Sequence, residues 1–287
     1  MRKEKHTSII KGKPQRIQEY GVGIFSILET KSSLKKALKK NLIKVNGKLA
    51  TTGTLLFGGE IIEFQHETIA KNVKEFIFKL DIVYEDEFIA VINKPAGILV
   101  SGNSFKTITN ALTKNLKASN QLDAVSPQPV HRLDYPTTGL LLIGKTSKSI
   151  RNLNNQFKNK EISKIYVAIT IGKMVPKNGI LDYSVDDKIA VSEFDVLKTV
   201  VSERFEYLNL VKLIPKTGRR HQLRKHVSTL GNPILGDKEY GLEPLILKGK
   251  GLYLHAYSIE VTHPFTNKKM FIQQELPSKF SKIFGNI

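Results

Sequence analysis

The stretch Val130-His131-Arg132-Leu133-Asp134-Tyr135-Pro136-Thr137-Thr138-Gly139 runs directly into Leu140-Leu141-Leu142-Ile143-Gly144-Lys145. Pro136 and Gly139 mark a turn. The apolar run after them is short, bounded and free of charge, which predicts a fully buried strand. Asp134 is then a carboxylate held in a tight loop at the end of a core strand, where a functional group is better fixed than on a mobile tip. Aspartate also forms turns by bonding its own backbone. On this stretch alone that plainer role outweighs catalysis, and the rest of the chain has to decide.

The 287 residues suffice for one large domain or for a large one plus a small one. With 40% hydrophobic residues a real core is expected. Forty-five Lys and Arg against 26 acids give a net charge of +19 and a pI near 9.8, so a polyanion is the leading partner. No basic amphipathic helix with large apolar anchors accompanies that charge, and no apolar run approaches the ~20 residues of a membrane span, so no membrane partner is expected. Met1 to Lys13 is polar and basic with no apolar secretory core. Cysteine is absent, which excludes disulfides, thiolate catalysis and cysteine-held zinc and makes the cytoplasm the expected compartment.

Met1 to Lys13 reads as a flexible basic arm. Beyond it, Thr30 to Ser33 supplies cap-type residues before Leu34, Ala37, Leu38 and Leu42, which share one helical face. Lys35, Lys36, Lys39 and Lys40 occupy much of the opposite face. Ile43-Lys44-Val45-Asn46-Gly47-Lys48-Leu49 carries the Asn-Gly signal of a hairpin, and a further strand is expected over Glu60–Phe64. A basic helix face leading into a tight hairpin is a compact phosphate-binding surface, although a plain solvated lysine face fits the pattern equally well. This stretch, with Lys48 and Gly59-Glu60-Ile61-Ile62, is similar to the αL-type (S-four-like) RNA-binding module.

From Leu80 the pattern is strand, acidic turn, strand, ending at Asn93-Lys94-Pro95-Ala96-Gly97, where Pro95 and Gly97 force a loop. Thr146 to Lys160 has helical spacing at Ile150, Leu153 and Phe157. Ser163–Gly172 alternates and is β-branched, hence a strand. Three more strands are expected at about Ile189–Ser192, Asp195–Val201 and Phe205–Leu213. Thr217–Leu230 reads as a helix with Leu223, Val227 and Leu230 buried, ended by Gly231 and Pro233. Arg220 and Arg224 lie one turn apart on it.

Several chemistries drop out. There is no Gly-x-Ser-x-Gly elbow, no Gly-Lys-Ser/Thr phosphate loop and no Gly-x-Gly-x-x-Gly after a strand. His221 and His226, five apart on a helix, diverge by roughly 140° and cannot share a metal as an i, i+4 pair does. His131 and Asp134 could pair as base and orienter, but no serine is marked out to complete a triad. A lone carboxylate, arginines, a strand tyrosine and a basic surface remain. That set suits acid–base or covalent chemistry on a nucleic-acid sugar or base.

His131-Arg132-Leu133-Asp134-x-x-Thr137-Thr138-Gly139 resembles the signature of the RluA-type pseudouridine synthases. Asn93 to Gly97, Lys164-x-Tyr166-x-Ala168, Thr217 to Arg224 with Gly231 to Asp237, and Leu254-His255-Ala256 with His263-Pro264 agree in the same order. Thr138 stands where serine is usual in the family, and Arg220 where a small or hydroxylic residue is usual. The resemblance covers about Leu80 to Phe280. It implies that a uridine in RNA is detached from its ribose, turned and rejoined through a ring carbon, with no cofactor and no metal. It further implies that Asp134 is the essential carboxylate, that Arg224 pairs with it, and that Tyr166 packs on the target base. Arg132 becomes the group that fills the vacated space, since guanidinium planes stack on bases. His131, Lys94, Arg219 and Arg220 join the expected RNA contacts, with Lys35, Lys36, Lys39, Lys40 and Lys48 from the smaller module.

The expected architecture is α+β: an arm over residues 1–15, the S-four-like domain over 16–66, a linker over 67–79 and the catalytic domain over 80–287. Its sheet is expected to be mixed and largely antiparallel. Family members act on ribosomal or transfer RNA; ribosomal RNA is the favoured partner, bound by a monomer. The competing reading is a non-catalytic RNA-binding or ribosome-assembly protein, whose mark would be loss of Asp134, Tyr166 or Arg224.

Overall fold

The apolar run after Gly139 is the strand Thr138–Thr146, buried from Gly139 to its end. It lies inside a ten-stranded sheet and is enclosed on both faces, which explains a run of apolar residues in place of alternation. The structure, a computed structural model, describes residues 2–25, 28, 30–66, 76–247 and 249–285. Chain contacts divide it into two units, Met1–Val73 and Lys74–Ile287. Of the expected linker, residues 67–75 lie outside the described residues.

In the first unit, the helix Lys31–Lys39 begins at Thr30, whose hydroxyl accepts from the Ser33 amide while the Ser33 hydroxyl accepts from the Thr30 amide. Its apolar face, Leu34, Ala37 and Leu38, packs with Ile43, Ile62 and Phe64. Lys48 lies on the second arm of the expected hairpin, Ile43–Val45 with Lys48–Leu49. The flexible arm expected at the N-terminus is replaced by an edge strand. Arg2–Thr7 pairs antiparallel with Ile61–His66, and Ser8 is buried against Glu60. Backbone pairing along one side holds it there even though its side chains are mostly polar.

The large sheet of the second unit runs Asn178–Leu181, Ser192–Ser202, Glu206–Pro215, Ser163–Ile171, Leu254–Thr262, Thr138–Thr146, Ile89–Lys94 and Asp81–Glu85. Lys269–Gln273 adds to Leu254–Thr262 and Ala124–Pro129 to Thr138–Thr146. Every pairing is antiparallel except that of Thr138–Thr146 with Leu254–Thr262. The expected mixed, largely antiparallel α+β sheet is therefore present. One cluster, with Ile92, Leu112, Leu141 and Ile143, fills the space under the helix Ile108–Asn115; another, with Leu142, Leu153, Ile162 and Ile259, fills that under the helix Ser147–Lys158.

Two local expectations need correction. Ile189–Val191 is not a strand; the chain enters regular structure only at Ser192 and continues to Ser202. The helix expected from Thr217 starts at Gln222. The Gln222 side chain holds the preceding segment open, accepting from the Thr217 hydroxyl at 2.7 Å and the Arg219 amide at 3.0 Å. It also donates to the Val191 carbonyl at 3.0 Å and the Ser192 hydroxyl at 2.8 Å.

Candidate active site

One transverse row of the sheet sets the site. Lys94 pairs with Gly139, Gly139 with Ala256, and Ala256 with Tyr166. Register slips between Ile165 and Tyr166 against the neighbouring strand, and such a bulge re-aims a side chain. Gly139 has φ 112, and a Cβ there would sit 2.3 Å from the Ala256 carbonyl oxygen, so only glycine lets the two strands meet. That contact carries the loop holding Asp134 to the side of Tyr166.

Lys94 then fastens the loop. Its buried ammonium donates to the carbonyls of Pro95 at 2.9 Å, Asp134 at 3.2 Å, Tyr135 at 3.3 Å and Thr137 at 2.9 Å. Burial lowers the amine to about 8, with the Asp134 charge opposing that fall. The Gly97 amide donates to the Tyr135 carbonyl and the Thr137 amide closes the turn onto the Asp134 carbonyl. Lys94 was expected among the RNA contacts. It is fully buried and acts from behind the loop.

The other wall comes from the helix Gln222–Thr229. Arg224 is buried and gives Nε and Nη2 to Asp237, both at 2.7 Å, with a further bond from Nη2 to Glu239 at 3.3 Å. Its Nη1 stands 4.0 Å from Asp134 Oδ2. The hydrogen-bonded pairing expected between Arg224 and Asp134 is thus an ion-pair contact, because the fork is already occupied. Burial would raise the Asp237 carboxyl, but the Arg224 hydrogen bonds and charge outweigh it and hold it below the usual range. Gly236, with φ 79, brings Asp237 to that place; a Cβ there would lie 1.9 Å from the Gly251 carbonyl oxygen. His221, just ahead of the helix, puts Nε2 3.7 Å from Asp134 Oδ1.

Asp134, Tyr166, His221 and Arg224 line one cleft of about 1060 Å³. Lys158, Lys160 and Lys164, around the start of the strand bearing Tyr166, add positive charge to it, as do Lys216, Arg219 and Arg220 before the helix. Among the described residues that line it, Asp134 and Glu161 are the only carboxylates. Burial, followed by the Asp134 charge, raises the Tyr166 phenol well above its ordinary value, so it enters any reaction as a neutral hydroxyl. Arg132 is exposed on the rim. His131 also lines the cleft, but its Nε2 accepts from the Leu142 amide at 2.9 Å, and burial with the Lys164 charge lowers the ring to about 3. It braces the loop as a neutral ring. Arg219 donates to the Ile189 carbonyl at 3.0 Å yet remains exposed, as does Arg220.

Lys35, Lys36 and Lys39 lie with Lys31 and Ser32 around a smaller hollow of about 420 Å³ in the first unit; Lys40 and Lys48 are exposed there. Sequence reasoning missed the parts of the site played by Asp237, Glu239, Tyr240 and His221. The Gly236-Asp237 pair following the helix was a usable signal for the first. The others depend on loop geometry that spacing does not convey. Among the described residues no cluster of three or more His, Asp or Glu is placed to hold a metal ion, and no helix is long and apolar enough to cross a membrane.

Known proteins are similar to this chain in sequence and in fold. Residues 88–229 match the family described as RNA pseudouridylate synthase. A Rickettsia bellii protein named ribosomal large subunit pseudouridine synthase C is 32% identical, over 93% of this chain and 96% of that one. Ribosomal large subunit pseudouridine synthase D of Borreliella burgdorferi is 34% identical, over 96% of this chain and 91% of that one. The solved structure of human RNA pseudouridylate synthase domain containing 4 superposes with a TM-score of 0.57 at 26% identity, covering 70% of this chain and 90% of that one. The chain belongs to the RluA-type RNA pseudouridylate synthases, isomerases that act on uridine in RNA.

Proposed function

We propose that this enzyme isomerises specific uridines in structured ribosomal RNA, in preference to transfer RNA, with Asp134 as its essential carboxylate and no cofactor. The observation that carries this reading is the placement of Asp134 in a cationic cleft beside Tyr166, with His221 and Arg224 within 4.0 Å of its two oxygens. The relatives named for the large ribosomal subunit favour ribosomal RNA.

The reaction needs little besides such a carboxylate. The C1′–N1 bond breaks, the ring turns, and a C1′–C5 bond forms; N1 finishes with a proton and C5 loses one, so nothing is consumed. Asp134 serves by attacking C1′ or by taking the C2′ proton towards a glycal-like species, and in either case it must begin ionised. Arg224 maintains that charge. Tyr166, neutral and packed against the core, offers its ring to the base. Turning the base requires the nucleotide out of its stack. Arg132, exposed at the rim, fills the vacated place, while Lys158, Lys160, Lys164, Arg219 and Arg220 neutralise phosphates. The first unit is an S-four-like RNA-binding domain that uses Lys35, Lys36, Lys39, Lys40 and Lys48. The protein acts as a cytoplasmic monomer.

Site-resolved pseudouridine mapping of ribosomal and transfer RNA, in cells with and without the gene, tests the substrate. Loss of discrete sites in large-subunit ribosomal RNA is expected. Loss confined to transfer RNA overturns the preference, and loss nowhere overturns the activity.

A further inference from the structure

His221 precedes the helix Gln222–Thr229 in a left-handed conformation, φ 54 and ψ 22. Residues other than glycine seldom adopt it, and where they do the surroundings hold them there. The side chain stands between two carboxylates. Nε2 is 3.7 Å from Asp134 Oδ1, while Nδ1 is 3.0 Å from the Tyr240 hydroxyl and 3.4 Å from Glu239 Oε1.

Proton directions follow from the partners. The Tyr240 hydroxyl donates its one proton to Glu239 Oε1 at 2.8 Å, since an ionised carboxylate only accepts. Burial, helped by Glu239, pushes that phenol up to about 12, and the same hydrogen bond holds Glu239 below the usual carboxylate range, so the proton stays on the tyrosine. The tyrosine oxygen is left as an acceptor and Nδ1 must donate to it. That bond fixes the ring plane and turns its Nε2 edge towards Asp134.

The other charged groups do not disturb this arrangement. Arg224, from the helix, is matched by Asp237. Lys225 lies over the Tyr240 ring and is paired with Asp186. Lys94 is committed to carbonyls behind Asp134, Tyr166 is a neutral phenol, and Arg220 is exposed beside His221.

We propose that His221 is a positioning residue for the isomerisation: its Nε2 edge, 3.7 Å from Asp134 Oδ1, sets where that carboxylate lies, and the ring is itself fixed by the Tyr240–Glu239 pair. The proposal rests on the reading of Asp134 as the essential carboxylate.

The test measures single-turnover isomerisation, RNA affinity and melting temperature together. The RNA is an unmodified ribosomal transcript containing a uridine that the wild-type protein converts. His221→Asn suits the left-handed backbone, which asparagine tolerates, and withdraws the ring from Asp134. Its expected behaviour is a rate about tenfold lower, from a carboxylate no longer held in place, with RNA affinity and melting temperature unchanged. Tyr240→Phe keeps a ring against Arg224 and removes the hydroxyl that holds Nδ1, so its rate falls in the same way, again with RNA affinity unchanged. A wild-type rate in His221→Asn, or a loss of rate matched by an equal loss of RNA affinity, overturns the inference while leaving the proposed function intact. Absence of isomerisation by the wild-type protein removes both.

Discussion

Arg224 holds Asp237 with two 2.7 Å bonds and faces Asp134 at 4.0 Å with its remaining nitrogen. The guanidinium is locked by one carboxylate and presented to another. Asp237→Asn should therefore loosen Arg224 and leave its buried charge short of a partner, lowering stability by about 3–5 kcal/mol. Because the folded Asp237 carboxyl lies below the ordinary range, its contribution is complete above that range and is lost as pH falls through its folded value. Thermal unfolding as a function of pH checks this: the two proteins should differ most near neutrality and converge in acid.

Lys94→Met should weaken the loop that carries Asp134. Four carbonyls lose their shared donor, an effect of about 1–3 kcal/mol for buried acceptors. Lys94 also brings a pH signature. Folding lowers its amine from 10.5 to about 8, so holding it charged opposes folding below that value. The penalty fades as pH rises from about 8 to 10.5, and the wild type should gain on the order of 3 kcal/mol relative to Lys94→Met over that interval. Denaturant midpoints at the two ends of the range measure it.

Gly139→Ala should be among the most damaging small changes in the chain. A Cβ meets the Ala256 carbonyl oxygen at 2.3 Å, and the φ of 112 is strained for any other residue. Strain and overpacking together amount to at least about 2–3 kcal/mol. Since the clash lies between the Asp134 loop and the strand facing Tyr166, any folded fraction should also bind RNA and isomerise it slowly. Urea unfolding and single-turnover assays separate the two losses.

Sequence alone made much of this site legible. The buried strand after Gly139, the turn at Pro136 and the strand bearing Tyr166 all follow from local pattern, because each is set by burial period or turn chemistry. What lay beyond reach depended on contacts distant in the chain. Lys94 was expected to contact RNA, but its ammonium meets carbonyls some forty residues away. Arg224 was expected to bond Asp134, but the partner thirteen residues downstream claimed it first. His221 read as helical because Gln222 holds the preceding turn through side-chain bonds that no periodicity reveals. The polar strand Arg2–Thr7 gave no apolar signal; its pairing with Ile61–His66 rests on backbone bonds.

The most direct measurement is release of tritium from an RNA labelled at uridine C5, comparing wild type with Asp134→Asn. The substitution keeps the size of the side chain while removing its charge and its ability to attack or to take a proton. Melting temperature and RNA affinity, measured alongside, show that the variant folds and binds. The expected result is a loss of at least about a hundredfold in release with binding retained. Release by Asp134→Asn at the wild-type rate would contradict the assignment of Asp134 as the essential carboxylate.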